Sequence, residues 1–164
     1  MQFVLPLSVT LPDPEATTRL GQWIAPLLAP GDTLLLSGAI GAGKTHFARA
    51  LIQARLAASG RAEDVPSPTF TLVQVYDTDG AEIWHADLYR LGHPDELCEL
   101  GLDEAFETAI CLIEWPDRLA GLAPADALWL SFAPSADGEG RIVTLEGDAT
   151  RWSKLAPAFQ GARA

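Results

Sequence analysis

Lysine is almost missing from this chain. Lys44 and Lys154 are the only two in 164 residues, set against 22 Asp and Glu and a formal net charge of -11. A protein that grips nucleic acid by itself carries a basic face, and this composition repels a phosphate backbone on average. The same acidity favours solubility. Any tie to nucleic acid is therefore expected to run indirectly, through a partner protein. Cysteine is equally scarce, and Cys98 and Cys111 stand in no metal-ligand spacing and no disulfide framework. No apolar run approaches the roughly 18 residues of a membrane span. The opening MQFVLPLSVTLPDPE has no basic flank and no small-residue cleavage site behind a long apolar core. No signal peptide and no membrane contact are expected, and a reducing cytoplasm is the expected compartment. Internal repeats and low-complexity tracts are missing too.

What is present is an apolar fraction of 48%, enough for a globular core without disulfide or metal staples. The length predicts one domain over residues 1–150, with residues 151–164 as a tail, either a short helix or disordered. Phe3 to Leu7 reads as a strand. Asp13-Pro14 is a helix start, a capping side chain followed by proline at the first helical position. That helix should run to about Leu28 with Leu20, Ile24, Leu27 and Leu28 on one face, unless Pro26 kinks or ends it. Thr33 to Ser37 is a short, nearly continuous apolar run, the pattern of a strand buried on both faces. Thr45 to about Ser59 reads as a helix with Phe47, Leu51, Ala54 and Ala58 inward. Further strands are expected at Phe70 to Tyr76, Glu82 to Asp87, Ala109 to Trp115, Ala127 to Phe132 and Arg141 to Glu146. Pro94 to Phe106 should be helical and broken at Gly101. Strands and helices alternate through the first two thirds, which predicts an α/β fold with a mostly parallel central sheet flanked by helices. A small antiparallel part is expected at the C-terminal end.

Gly38-Ala39-Ile40-Gly41-Ala42-Gly43-Lys44-Thr45 matches G-x-x-x-x-G-K-[ST], and it lies between a predicted buried strand and a predicted helix. Glycines let such a loop turn successive N–H groups inward onto phosphate oxygens. The helix N-terminus adds partial positive charge. Lys44 is placed for the β and γ phosphates, and the Thr45 hydroxyl for Mg²⁺. The sequence thus predicts a P-loop NTPase-type domain that binds nucleotide phosphates with Mg²⁺. Gly38, Ile40, Gly41, Ala42, Gly43, Lys44, Thr45 and the N–H of His46 are the candidate nucleotide contacts.

Magnesium needs a carboxylate near that threonine, and two predicted strands end in acids. Glu114 follows the more apolar one and is the candidate for the metal side. Asp87 ends EIWHAD. It is a candidate catalytic acid that orients the attacking water, or holds a metal-bound one. His85 and Arg90 could give it polar support. Taken alone, however, His85-x-Asp87 reads equally well as a solvated strand edge.

These motifs occur in a fixed order: the P-loop, Ser67-Pro68-Thr69-Phe70, His85-Ala86-Asp87-Leu88-Tyr89-Arg90 and Ile113-Glu114-Trp115-Pro116. Together, from about Leu11 to Arg141, they resemble the TsaE (YjeE) family, the bacterial ATPases of tRNA threonylcarbamoyladenosine biosynthesis. The resemblance implies a P-loop α/β domain with a small sheet-rich extension that binds ATP or ADP with Mg²⁺. It implies slow hydrolysis that resets a complex with two partner proteins, TsaB and TsaD. It implies that Lys44 and Thr45 are the Walker A pair and that Thr69 senses the γ phosphate from a switch-like loop. Asp87 is implied as a site acid, and Glu114 as the metal-side acid with Trp115 beside it. Leu11 and Arg141 fall where the family approaches the nucleotide. The chain departs from the family at Ala39-Ile40, where Asp-Leu is frequent, and at His46, where a small polar residue is usual.

Three other readings remain. A small GTPase would use Asp77-Thr78-Asp79-Gly80 as D-x-x-G, but those residues read as a hairpin turn and the chain lacks N-K-x-D. A nucleoside or nucleotide kinase needs clustered cations around two phosphate groups, and Arg49, Arg55 and Arg61 are spread along a helix and its end. A nucleotide-gated binding module with negligible turnover overlaps with the ATPase, because binding alone shifts partner affinity.

Overall fold

The structure, a computed structural model, describes residues 3–68 and 71–162, with side chains to residue 159. Seven strands form one sheet. They are β1 (Leu7–Leu11), β2 (Thr33–Ser37), β3 (Val73–Thr78), β4 (Ala81–Asp87), β5 (Ile110–Glu114), β6 (Leu128–Pro134) and β7 (Arg141–Glu146). Their order is β1-β7-β6-β2-β5-β4-β3. The helices are α1 (Pro14–Ile24), α2 (Lys44–Ala58), α3 (Glu96–Glu99), α4 (Leu102–Thr108), α5 (Ala149–Trp152) and α6 (Ala156–Ala162).

The expectation of a mostly parallel sheet is corrected. The inner strands β6, β2, β5 and β4 run parallel, but β3 joins β4 antiparallel at one edge, and β7 and β1 add antiparallel at the other. The sheet is mixed. The antiparallel end is also not purely C-terminal, because β1, an early segment, pairs with β7 from Leu7↔Leu145 to Leu11↔Arg141. Tight β3–β4 and β6–β7 connections force antiparallel pairing, whereas parallel neighbours need a crossover helix.

Other boundaries move for local reasons. The first strand lies at Leu7–Leu11, not Phe3 to Leu7: Pro6 has no N–H to give a ladder, and Val9 and Leu11 turn inward. Helix α1 carries the expected Asp13 cap, whose Oδ1 accepts from the Ala16 N–H at 2.8 Å. It ends at Ile24, and Pro26 sits in a 3₁₀ turn over Ala25–Leu27. Ala58, expected inward on α2, is exposed, and Ala48, Ile52 and Leu56 are buried instead. The strand expected from Phe70 begins at Val73, and Phe70 itself is outside the described residues. Residues 151–162, expected as a tail, are short helices that bury Trp152, Leu155 and Phe159 in the main core.

Alternation along the strands decides the site. Leu34 and Leu36 of β2, Ile83 of β4, and Ile110 and Leu112 of β5 pack in one core with Phe47 and Leu51 of α2 and Leu20 of α1. Leu35, Ala86, Cys111 and Ile113 face the other way, onto Leu97 of α3 and Leu102 of α4. Period-two geometry therefore puts His85 and Asp87, which share the parity of Ile83, on the α2 side of the sheet. Glu114, with the parity of Ile110 and Leu112, joins them there.

Candidate functional site

The glycine loop fills the gap between β2 and α2. Gly38 has φ +140°, and a Cβ there would lie 2.6 Å from the Phe132 carbonyl oxygen, so only glycine fits. Gly43 caps α2 in the left-handed region with no side-chain hydrogen bond. The first-turn N–H groups are thus left to loop backbone, solvent or a ligand. An uncapped helix start behind a glycine loop is suited to receiving an anion.

Lys44, only 4% exposed, folds back into this loop. Its Nζ donates to the Gly38 carbonyl at 2.5 Å and stands 3.6 Å from the centre of the Trp115 ring. Burial pushes its ammonium below the ordinary value, and the carboxylates of Glu114, Asp87 and Asp117 work against that. Trp115 is held at φ +60°, an unusual conformation for a bulky residue. In that position its ring also meets Tyr89, at a centroid distance of 4.9 Å.

The two candidate acids end adjacent strands, with Asp87 paired to Glu114 across β4 and β5. Glu114 is buried at the level of the first turn of α2. Its Oε1 accepts from the Thr45 hydroxyl at 2.7 Å, and its Oε2 bonds His85 Nε2 at 2.7 Å. Asp87 accepts from the Tyr89 N–H at 3.0 Å, and its own N–H donates to the Leu72 carbonyl at 2.8 Å. Burial pushes the Asp87 carboxyl up. Glu114 adds to that rise, and the Tyr89 N–H, His85 and Lys44 oppose it.

The solvated-edge reading of His85-x-Asp87 is overturned. Strand β4 is an inner strand, and His85 and Asp87 are 0% and 7% exposed. Sequence reasoning gave His85 only a supporting part. The signal that could have raised it was its parity with Asp87 on a strand whose other inward residues are Ala81 and Ile83.

Two hollows meet at Gly41. One, of about 300 Å³, is lined by Ile40, Lys44, Thr45, Asp87, Glu114 and Trp115, together with Ser67, Tyr89 and Arg90. The other, of about 210 Å³, is lined by Leu11, Asp13, Pro14, Thr17, His46 and Arg141, with Glu139 and Gly140 at its side. The predicted site residues therefore gather around one loop but on two sides of it. Arg141 grips the loop directly: Nε donates to the Ala42 carbonyl and Nη2 to the Gly41 carbonyl, both at 3.2 Å. His46 Nε2 bonds Thr18 Oγ1 at 2.7 Å and the Pro14 carbonyl at 3.1 Å, tying α2 to α1. Thr69 lies outside the described residues.

Among the described residues no cluster of three or more His, Cys, Asp or Glu could enclose a metal ion. The oxygen donors at hand, the Thr45 hydroxyl and the Glu114 and Asp87 carboxylates, suit a hard cation that keeps waters and shares phosphate oxygens, as Mg²⁺ does.

With this geometry in view, comparison with known proteins is specific. The family model described as "Threonylcarbamoyl adenosine biosynthesis protein TsaE" matches residues 11–143. Three relatives carry the name tRNA threonylcarbamoyladenosine biosynthesis protein TsaE. The Rickettsia felis protein is 43% identical over 108 residues, 66% of this chain and 61% of that relative's length. The Haemophilus influenzae protein is 40% identical over 129 residues, 74% of this chain and 79% of its own. The Bacillus subtilis protein is 33% identical over 144 residues, 87% of each. A crystal structure of Bacillus subtilis YdiB superposes over 100% of both chains with a TM-score of 0.77 and 28% identity. The chain belongs to the TsaE family of threonylcarbamoyl adenosine biosynthesis proteins.

Proposed function

We propose that this protein is a P-loop, Mg²⁺-dependent ATP-binding protein and slow ATPase that serves tRNA threonylcarbamoyladenosine modification in the cytoplasm, acting on a partner complex of the TsaB–TsaD type. One observation carries the reading. The glycine loop, Lys44, the Thr45 hydroxyl and two buried strand-end carboxylates converge on a single hollow of about 300 Å³. The family membership supplies the pathway.

In this reading the loop N–H groups and Lys44 bind the phosphates, with Lys44 moving from the Gly38 carbonyl onto phosphate oxygen. Thr45, Glu114 and Asp87 would hold Mg²⁺. The ion supplies charge neutralisation on the transferring phosphoryl group. Asp87 orients the attacking water, a task suited to a carboxyl whose ionised form burial disfavours. Thr69 senses the γ phosphate from the loop after Ser67. On the other side of Gly41, Leu11, His46 and Arg141 border the hollow for the base and sugar.

Partner dependence has support of its own. Ile40 at the loop tip is 74% exposed and Tyr89 is 42% exposed, so the mouth of the site carries an apolar rim. Such a rim suits cover by protein. The composition, poor in lysine, fits contact with tRNA only through those partners.

The test is Mg²⁺-dependent phosphate release from ATP by the isolated protein, with Lys44→Ala as the blank. Lys44→Ala should bind ATP about 10- to 100-fold more weakly, the loss of one or two charge-assisted bonds. Turnover above the blank, preference for ATP over GTP, and ATP-dependent capture of a TsaB–TsaD pair are the expected results. MgATP binding with no turnover by the isolated chain would favour the nucleotide-gated module instead. An unchanged affinity in Lys44→Ala, or no capture with ATP present, would count against the proposal.

A further inference from the structure

We propose that His85 is a positioning residue for the metal side of this site, setting which oxygen of Glu114 faces the Thr45 hydroxyl. The inference rests on the ATP and Mg²⁺ reading above and goes a step deeper into it.

The ring of His85 is fully buried on an inner strand. Its Nε2 lies 2.7 Å from Glu114 Oε2. A carboxylate only accepts, so this bond is donated by His85 and fixes the hydrogen on Nε2. The other ring nitrogen, Nδ1, is buried with no hydrogen-bond partner among the described residues. A buried polar atom left unpaired costs stability, and Ile83, two residues earlier on the same face, shows that an apolar side chain fits this layer. Packing therefore gives no reason for histidine at this position. The bond to Glu114 does.

That bond has a geometric consequence. Both Glu114 oxygens are engaged from opposite sides, Oε1 by Thr45 and Oε2 by His85. The carboxylate plane is pinned before any ligand arrives, and one oxygen stays beside the threonine hydroxyl. Without His85, Oε2 has no donor in a buried place, and the carboxylate turns to find one. Partners of this kind typically change metal affinity by roughly 10- to 100-fold when removed.

Mn²⁺ binding in the presence of ADP, read by electron paramagnetic resonance, tests this without turnover. His85→Leu should hold Mn²⁺ about 10- to 100-fold more weakly than wild type. His85→Gln, whose amide nitrogen reaches where Nε2 stood, should recover most of that loss. ADP affinity in EDTA should stay within about two-fold in both variants, because Lys44 and the loop carry it. If His85→Leu does not fold, His85→Asn replaces it with the same expectation, since its amide stops at the Nδ1 position. Wild-type Mn²⁺ affinity in His85→Leu or His85→Asn overturns the inference. So does failure of glutamine to restore it, or an equal loss of metal-free ADP binding. Absence of ADP binding by the wild-type protein would instead overturn the nucleotide reading, and this inference with it.

Discussion

Asp87 carries two opposed demands at one carboxyl. In the proposed function it must ionise to orient water, yet it is buried one strand away from a second buried acid. Its folded value lies above the ordinary 3.8, with desolvation the leading cause. The sign follows. The fold holds the protonated acid more comfortably than the unfolded chain does. Stability from this group is full below the unfolded value and falls as pH rises through the raised folded one. At neutral pH the Asp87 charge is therefore a standing cost. Asp87→Asn keeps an acceptor for the Tyr89 N–H and removes the charge. It should raise the melting temperature at pH 7, and the advantage should shrink as the pH is lowered towards 4. Turnover should fall about 100-fold or more, while nucleotide affinity changes little. Melting curves across pH, paired with phosphate release, check both halves. A lower melting point than wild type at pH 7 would contradict the account. Much of this residue chemistry was legible in the chain. Lys44, Thr45, Asp87 and Glu114 each stand at a strand end or helix start that local pattern reveals. The link of His85 to Glu114 was not legible, because it spans 29 positions and depends on which strands become neighbours.

Among the elements, the inner strands were the readable ones. Strand β2 falls on Thr33–Ser37 as its apolar run predicts, and α3 and α4 break at Gly101, which adopts φ +84°. Edges were harder, since β1 and β3 owe their limits to partners and not to their own alternation. The C-terminal helices were least readable of all. Their anchor is Asp32, 1% exposed in the turn before β2. One oxygen accepts from Arg151 Nη2 at 2.6 Å, and the other from Lys154 Nζ at 2.5 Å and the Ala29 N–H at 2.8 Å. Arg151 is held above its ordinary value chiefly by that bond to Asp32. No local pattern announces a contact across some 120 residues. Removing the acid takes this partner from Lys154 and the Ala29 N–H and leaves Arg151 only Asp126, at 3.2 Å. Asp32→Ala should therefore cost about 3 kcal/mol, seen as a lower urea midpoint at unchanged slope. Intact stability would mean that α5 and α6 are held by the packing of Trp152, Leu155 and Phe159 and by the bonds to Asp126, without need of Asp32.

At the scale of the whole molecule, the sheet joins two hollows across one glycine loop, and a ligand that bridges them ties β1 and β7 to the ends of β4 and β5. MgADP or MgATP should accordingly raise the melting temperature. At 100 times the dissociation constant the expected gain is about 2.7 kcal/mol, and a thermal-shift titration reads it directly. Lys44→Ala, binding about 10- to 100-fold more weakly, should lose about half or more of that shift at the same ligand concentration. A shift with GTP as large as that with ATP would reopen the GTPase reading.

The pairing of β1 with β7 also has a meaning in time. Leu11 and Arg141 are register partners, and both border the smaller hollow. On the ribosome the chain emerges from its N-terminal end. The loop from Gly38 to Thr45 is thus made early, while the wall that Leu11 and Arg141 build together must wait for β7. A nascent chain halted short of Arg141 has its phosphate loop but an open flank. Strand β7 acts as a seal, and under the proposed function a full grip on nucleotide waits until that strand has been made.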